Sequence, residues 1–191
     1  FPKEYFEALS EYKASGMVVF ETKIEGVISK DSSPRIVSDF TLQDGSLTEK
    51  QTGAHLNKLS LEGHFESRNK KNQEEITFKN INGVLENGKI KGNVLVSNFE
   101  NPSVKADLSG NLSMAKIKRF INSEKIETLD GNASFQVEFA GLLNTANGAT
   151  PKIKTSNGFI NIENGSLKTK TSHLAFTDLN GSLSLKKNDA A

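Results

Sequence analysis

The sequence predicts a mainly β protein: tandem antiparallel meanders forming a curved, elongated sheet or groove, or a sandwich, with two short helices each leading a repeat. Three observations predict it. Apolar and polar residues alternate at period two over long stretches, as on strands with one covered face. Turn-formers are plentiful, with 15 Gly against only 4 Pro, which suits many strands joined by tight turns. The chain also repeats itself. Gly16, Phe20, Gly26, Pro34, Gly45, Ser46, Leu47 and Lys50 return in order as Gly131, Phe135, Gly141, Pro151, Gly165, Ser166, Leu167 and Lys170. The spacing drifts only from 115 to 120 positions, as short loop insertions produce.

The first helix is expected over Pro2–Lys13, with Pro2 early, Tyr5, Phe6, Leu9 and Tyr12 at helical spacing, and Gly16 to end it. A strand follows in which Val18, Phe20, Thr22 and Ile24 share a face. Phe40 and Leu42 continue the pattern, and Asp44-Gly45 reads as a hairpin turn. Further strands are expected near 55–67, 75–79, 89–98, 103–112 and 173–186. The second helix starts at Ser113 as N-cap and places Ile117, Phe120 and Ile121 on one side. After it, Ala133, Phe135, Val137 and Phe139 share a face, Ile160 and Ile162 follow, and Asn164-Gly165 reads as the second hairpin turn. A later signature also recurs, Phe78–Leu85 (FKNINGVL) against Phe176–Leu183 (FTDLNGSL), at a spacing of 98. The first unit therefore carries about twenty additional residues, read as a hairpin spanning Leu59–Glu75. The boundaries that result are 1–112 for the first unit and 113–191 for a second that stops short, so the natural protein is expected to continue.

Composition narrows the function. Lysine and arginine (24) balance aspartate and glutamate (23) at a net charge of +1, without the basic stripe that nucleic acid requires. Arg68, Lys70 and Lys71 are answered at once by Glu74 and Glu75 and read as a solvated loop. There is no cysteine, hence no disulfide, thiol nucleophile or thiolate metal site. His55, His64 and His173 lack ligand spacing, and the first and third occupy equivalent His-Leu positions, which favours a structural role. No nucleotide-binding or hydrolase fingerprint is present. Asn111, Asn132, Asn164 and Asn180 each precede x-Ser and adjoin a glycine, so turn chemistry is expected of them. No cofactor, metal or catalytic residue is predicted.

Three stretches carry a resemblance to a family: NPSVKADLSGNLSMAKIKRF with the strand ending Phe139-Ala140-Gly141, the pattern GFINIENGSLKTK, and HLAFTDLNGSLSLKKND. Together, and in this order, the chain resembles the AsmA-like proteins of diderm bacteria from about Ser15 to Lys187. The resemblance implies a periplasmic protein held by an inner-membrane anchor in its full length. It also implies kinship with TamB and the bridge-like lipid transfer proteins, whose strands build a curved sheet with an apolar groove. The implied role is outer-membrane lipid homeostasis or assembly, with phospholipid or another envelope lipid as partner.

The residues themselves leave a filled sandwich and an open groove evenly matched, because a one-faced sheet must cover its apolar side somehow; the resemblance favours the groove. The lipid-groove candidates are Val18, Phe20, Ile24, Phe40, Leu42, Phe135, Val137, Phe139, Ile160 and Ile162. Two other classes stay open. An envelope scaffold or adhesin-like module would have a closed, filled core. A carbohydrate-acting enzyme would need clustered carboxylates and aromatic platforms, against which stand the absence of Trp and the presence of only two Tyr.

Overall fold

The structure is a computed structural model that describes residues 10, 12–27, 34–50, 53–67, 73–117, 126–142, 152–170 and 175–188. The strands are β1 (Tyr12–Glu25), β2 (Arg35–Glu49), β3 (His55–Ser67), β4 (Glu75–Leu85), β5 (Gly88–Ser97), β6 (Ser103–Ser113), β7 (Ile126–Leu142), β8 (Lys152–Thr169) and β9 (Ala175–Asn188). One helical turn, α1 (Met114–Ile117), separates β6 from β7. All nine strands form a single antiparallel sheet in chain order, β1 to β9. Strand pairing runs without interruption through β6 and β7, across the boundary expected at 112/113.

Alternation explains this architecture. Each strand offers an apolar row and a polar row, and antiparallel pairing in register joins like rows into two faces. The sheet is open and uncurled. This corrects the curved or sandwich-like expectation: no described strand lies in a second layer. Among the described residues only Ala54, Val104, Ala106 and Ala133 are buried apolar residues, and no large side chain is fully buried. The accessible surface is 13442 Å² for 20.8 kDa, where a compact monomer of that mass exposes about 8,900 Å².

The structure describes only parts of the two expected helices, helical at Ser10 in the first and at Met114–Ile117 in the second. Most of Pro2–Lys13 lies outside the described residues, but Tyr12 and Lys13 already belong to β1. Ser113 ends β6 and directly precedes α1, and the remainder of the second expected helix, with Phe120 and Ile121, lies outside the described residues.

Asp44-Gly45 and Asn164-Gly165 are not hairpin turns. They sit inside β2 and β8, where the ladder slips at Leu42/Gly45 and Ile162/Gly165. A type I′ turn needs positive φ at both central residues, whereas here only Asp44 (φ 50) and Asn164 (φ 52) have it. The local signal is thus spent on β-bulges, which kink and twist a strand without ending it. Lys58 (φ 50), Asn80 (φ 53) and Asp178 (φ 55) mark the same device in β3, β4 and β9.

The two ends of the sheet share a register. The β1/β2 ladder slips between Ser15–Ser46 and Met17–Gln43, and the β7/β8 ladder slips between Asp130–Ser166 and Asn132–Glu163. Gly45 faces Leu59 of β3 as Gly165 faces Leu179 of β9. The additional segment of the first unit is accordingly one strand and not a hairpin. Phe78–Leu85 lies on β4, one strand removed from β2, whereas Phe176–Leu183 lies on β9, directly against β8. That signature survives the reversal of direction because its chemistry is local. The amide of Asn82 donates to the Asn80 carbonyl and that of Asn180 to the Asp178 carbonyl, each at 3.0 Å.

Asn180 also accepts from the Asn164 backbone N–H at 2.9 Å, and Asn111 accepts from that of Lys89 at 2.8 Å. These asparagines lie in strands and tie bulges or neighbouring strands together, which corrects the turn role expected of them. Asn180→Ala is expected to cost about 1 kcal/mol and Asn82→Ala about half of that, since the latter loses one exposed bond and the former two. Urea unfolding curves of the two variants check the order.

Candidate functional site: the apolar face of the sheet

Register assigns every strand residue to a face. Val18, Phe20 and Ile24 of β1 oppose Leu42, Phe40 and Ile36 of β2. Phe40 opposes Gly63 of β3, which opposes Phe78 of β4, and Phe78 opposes Val94 of β5. Val94 opposes Ala106 of β6, which opposes Phe139 of β7. Phe135 opposes Ile160 of β8, which opposes Leu183 of β9. One apolar face therefore extends over all nine strands. All ten candidate residues fall on it: five from β1 and β2, five from β7 and β8. Strands β3 to β6 join the two groups.

Phe78 of the recurring signature is one joining residue; the others escaped the sequence reading: Leu61, Phe65, Ile76, Val94, Val96, Val104, Ala106 and Leu108. Their alternation was available, but the repeat that drew attention to the outer strands does not extend to these.

Glycines set the relief of this face. Gly63 sits between the rings of Phe40 and Phe78, whose centroids are 6.1 Å apart and nearly perpendicular. The Phe40 ring covers Gly63 so closely that a Cβ there would collide with it. The Phe135 ring lies beside Gly110 less closely, 3.1 Å from where a Cβ would stand. The rings thus lie down over gaps in the face. In the turn after β5, Phe99 stacks on Phe65 at 6.2 Å. Toward the open edge the cover fails: Val18, Phe20 and Ile24 are 54%, 70% and 63% exposed, and Leu183 on β9 is 56% exposed. No described strand lies over this face, which leaves its apolar area on offer.

The opposite face is polar. Arg35 donates through Nε and Nη2 to Glu66 at 3.0 and 2.9 Å, and through Nη1 to Glu25 at 3.2 Å. Lys23 lies 2.6 Å from Glu25. Chiefly the hydrogen bond and charge of Lys23, and then Arg35, lower the Glu25 carboxyl below its usual range, while Glu66 raises Arg35. A depressed carboxyl stabilises the folded state above its unfolded pKa, and the contribution fades as pH falls through the folded value. In Arg35→Ala, the Glu25 carboxyl resonance is expected to titrate at higher pH in NMR, though still below its unfolded range because Lys23 remains.

Asp39 and His64 face each other in register on this side at 2.7 Å, and His55 contacts Thr48 at 2.7 Å. Both are cross-strand pairs, while His173 lies outside the described residues. No group of three or more metal-ligating side chains occurs among the described residues. A hollow of about 1020 Å³ also lies on the polar side, lined by Thr77, Lys79, Asn93, Lys105, Asp107, Glu138, Asn157 and Lys186 among others. Asp107 and Glu138 oppose each other in register there, and the one ring at its border, Phe139, belongs to the apolar row.

No described helix is long and apolar enough to cross a membrane. No family model, curated protein or solved structure matches the chain.

Proposed function

We propose that the chain is a non-enzymatic, periplasmic β protein of the AsmA-like kind that carries phospholipid acyl chains in outer-membrane lipid homeostasis. The supporting observation is the one-sided sheet: a single apolar face spans nine strands, with no second layer behind it among the described residues. Nine strands at ~4.8 Å spacing and ~10 residues at ~3.3 Å each make a face of about 1,400 Å². Every 100 Å² of apolar area covered contributes about 2.5 kcal/mol. An acyl chain supplies such cover without a fixed polar register, so it can move along the face. Carriage of this kind uses area, not acid–base groups. In the full-length protein an inner-membrane anchor would hold the sheet in the periplasm.

Native mass spectrometry of gently purified protein tests the reading. Co-purified phospholipid, released by detergent, is the expected result. A lipid-free protein that also fails to take up lipid from vesicles would overturn it. A second reading, a protein-binding envelope module, is favoured by the two long outer strands β1 and β9, which have open edges among the described residues.

A further inference from the structure

We propose that β1 is a self-pairing edge: two copies join β1 to β1, antiparallel, about a two-fold axis at Thr22. The sheet supplies the precedent. Strand β7 shares with β1 the ladder slip at its leading glycine, and its other edge is taken by β6 over Asn132–Leu142 without a slip. The equivalent span of β1, displaced by 115 positions, is Met17–Val27, whose midpoint is Thr22. Among the described residues no strand pairs with the outer edge of this span. Met17, Val19, Phe20 and Val27 are 57%, 61%, 70% and 74% exposed. It has no proline and no charge on the apolar face, so two of the devices that keep edges apart are missing.

Charge selects the register. A two-fold axis must place residues of equal parity opposite each other, or the faces would not match. Centred on Thr22, Glu21 meets Lys23 of the second copy, and the symmetry makes this pair twice. Phe20 meets Ile24 of the second copy on the apolar face, also twice, and Thr22 meets its own counterpart. Centring on Glu21 or Lys23 would instead oppose like charges, centring on Val18 would set Lys13 against Lys23, and centring on Ile24 would also pair Lys23 with Glu25 but match only residues 23–25 of β1. Cross-strand opposite charges, apolar pairs and Thr–Thr pairs each favour pairing, and like charges oppose it. Matched parity and self-complementary charge assign this edge to a second copy. The product is one eighteen-stranded sheet, twice the nine of one copy, with the apolar faces on the same side. This assignment is independent of what that face carries.

The chain has no cysteine, so a single introduced one reports on the contact. Directly opposite Cα atoms in an antiparallel pair lie about 4.5–5.5 Å apart, within disulfide reach. Thr22→Cys is expected to form a disulfide-linked dimer under mild oxidation, with Ser184→Cys on β9 remaining a monomer. By sedimentation, Glu21→Lys and Lys23→Glu are each expected to weaken dimerisation roughly tenfold, because each creates two like-charge pairs. The double variant is expected to regain it. A monomeric wild type, a dimer that Thr22→Cys does not trap, or a double variant no better than either single one would overturn the assignment.

Discussion

Replacing Gly158 by alanine is expected to destabilise the sheet by about 3 kcal/mol, the largest stability effect of any single methyl group added to β8. Gly158 has φ +135, where residues with a side chain are strained. Its Cβ would also stand 2.9 Å from the Val137 Cα and closer still to the Gln136 carbonyl oxygen. Backbone atoms of β7 form that obstacle, so no rotamer change relieves it, and β7 and β8 would have to separate. Gly181, on β9, provides the control, because nothing lies within 4 Å of a Cβ there. Gly181→Ala is expected to change stability by under ~0.5 kcal/mol. Chemical denaturation of both variants measures the contrast, and equal costs would show that β7 and β8 do not approach as described.

Val137→Glu is expected to lower lipid retention at least tenfold, whereas Gln136→Glu leaves it unchanged. The two residues are chain neighbours on opposite faces: Val137 opposes Leu108 and Gly158 in the apolar row, and Gln136 opposes Ser109 and Phe159. An acyl chain lying over Val137→Glu would have to desolvate a carboxylate without a partner. Even a modest part of that cost exceeds the 1.4 kcal/mol that corresponds to tenfold. Lipid-to-protein ratios after vesicle incubation and re-isolation give the comparison. Equal loss in both variants would point to charge alone, and no loss in either would remove the apolar face from lipid handling.

The face itself was legible in the sequence because period-two alternation is a direct consequence of strand geometry. Val18, Phe20 and Ile24, or Phe135, Val137 and Phe139, share a face in any extended strand. How strands associate was less legible. Asp44-Gly45 and Asn164-Gly165 have the composition of a hairpin turn, yet tertiary pairing carries β2 and β8 straight through them as bulges. The signature of β4 and β9 misled in a different way. Its Asn side chain satisfies a carbonyl two residues back, so the motif is indifferent to strand direction and says nothing about how many strands precede it. Curvature was least legible. No residue type reports whether a one-faced sheet curls, closes or lies open, and here the hollow forms against Lys79, Lys105 and Glu138 on the polar side.

The most direct test uses two adjacent positions on β5, Val94 in the apolar row and Leu95 in the polar one. With no native cysteine to interfere, Val94→Cys and Leu95→Cys can each carry a small fluorophore in the presence of phospholipid with nitroxide-labelled acyl chains. The account predicts strong quenching at position 94 and little at position 95. Equal quenching at both, or stronger quenching at 95, would contradict it.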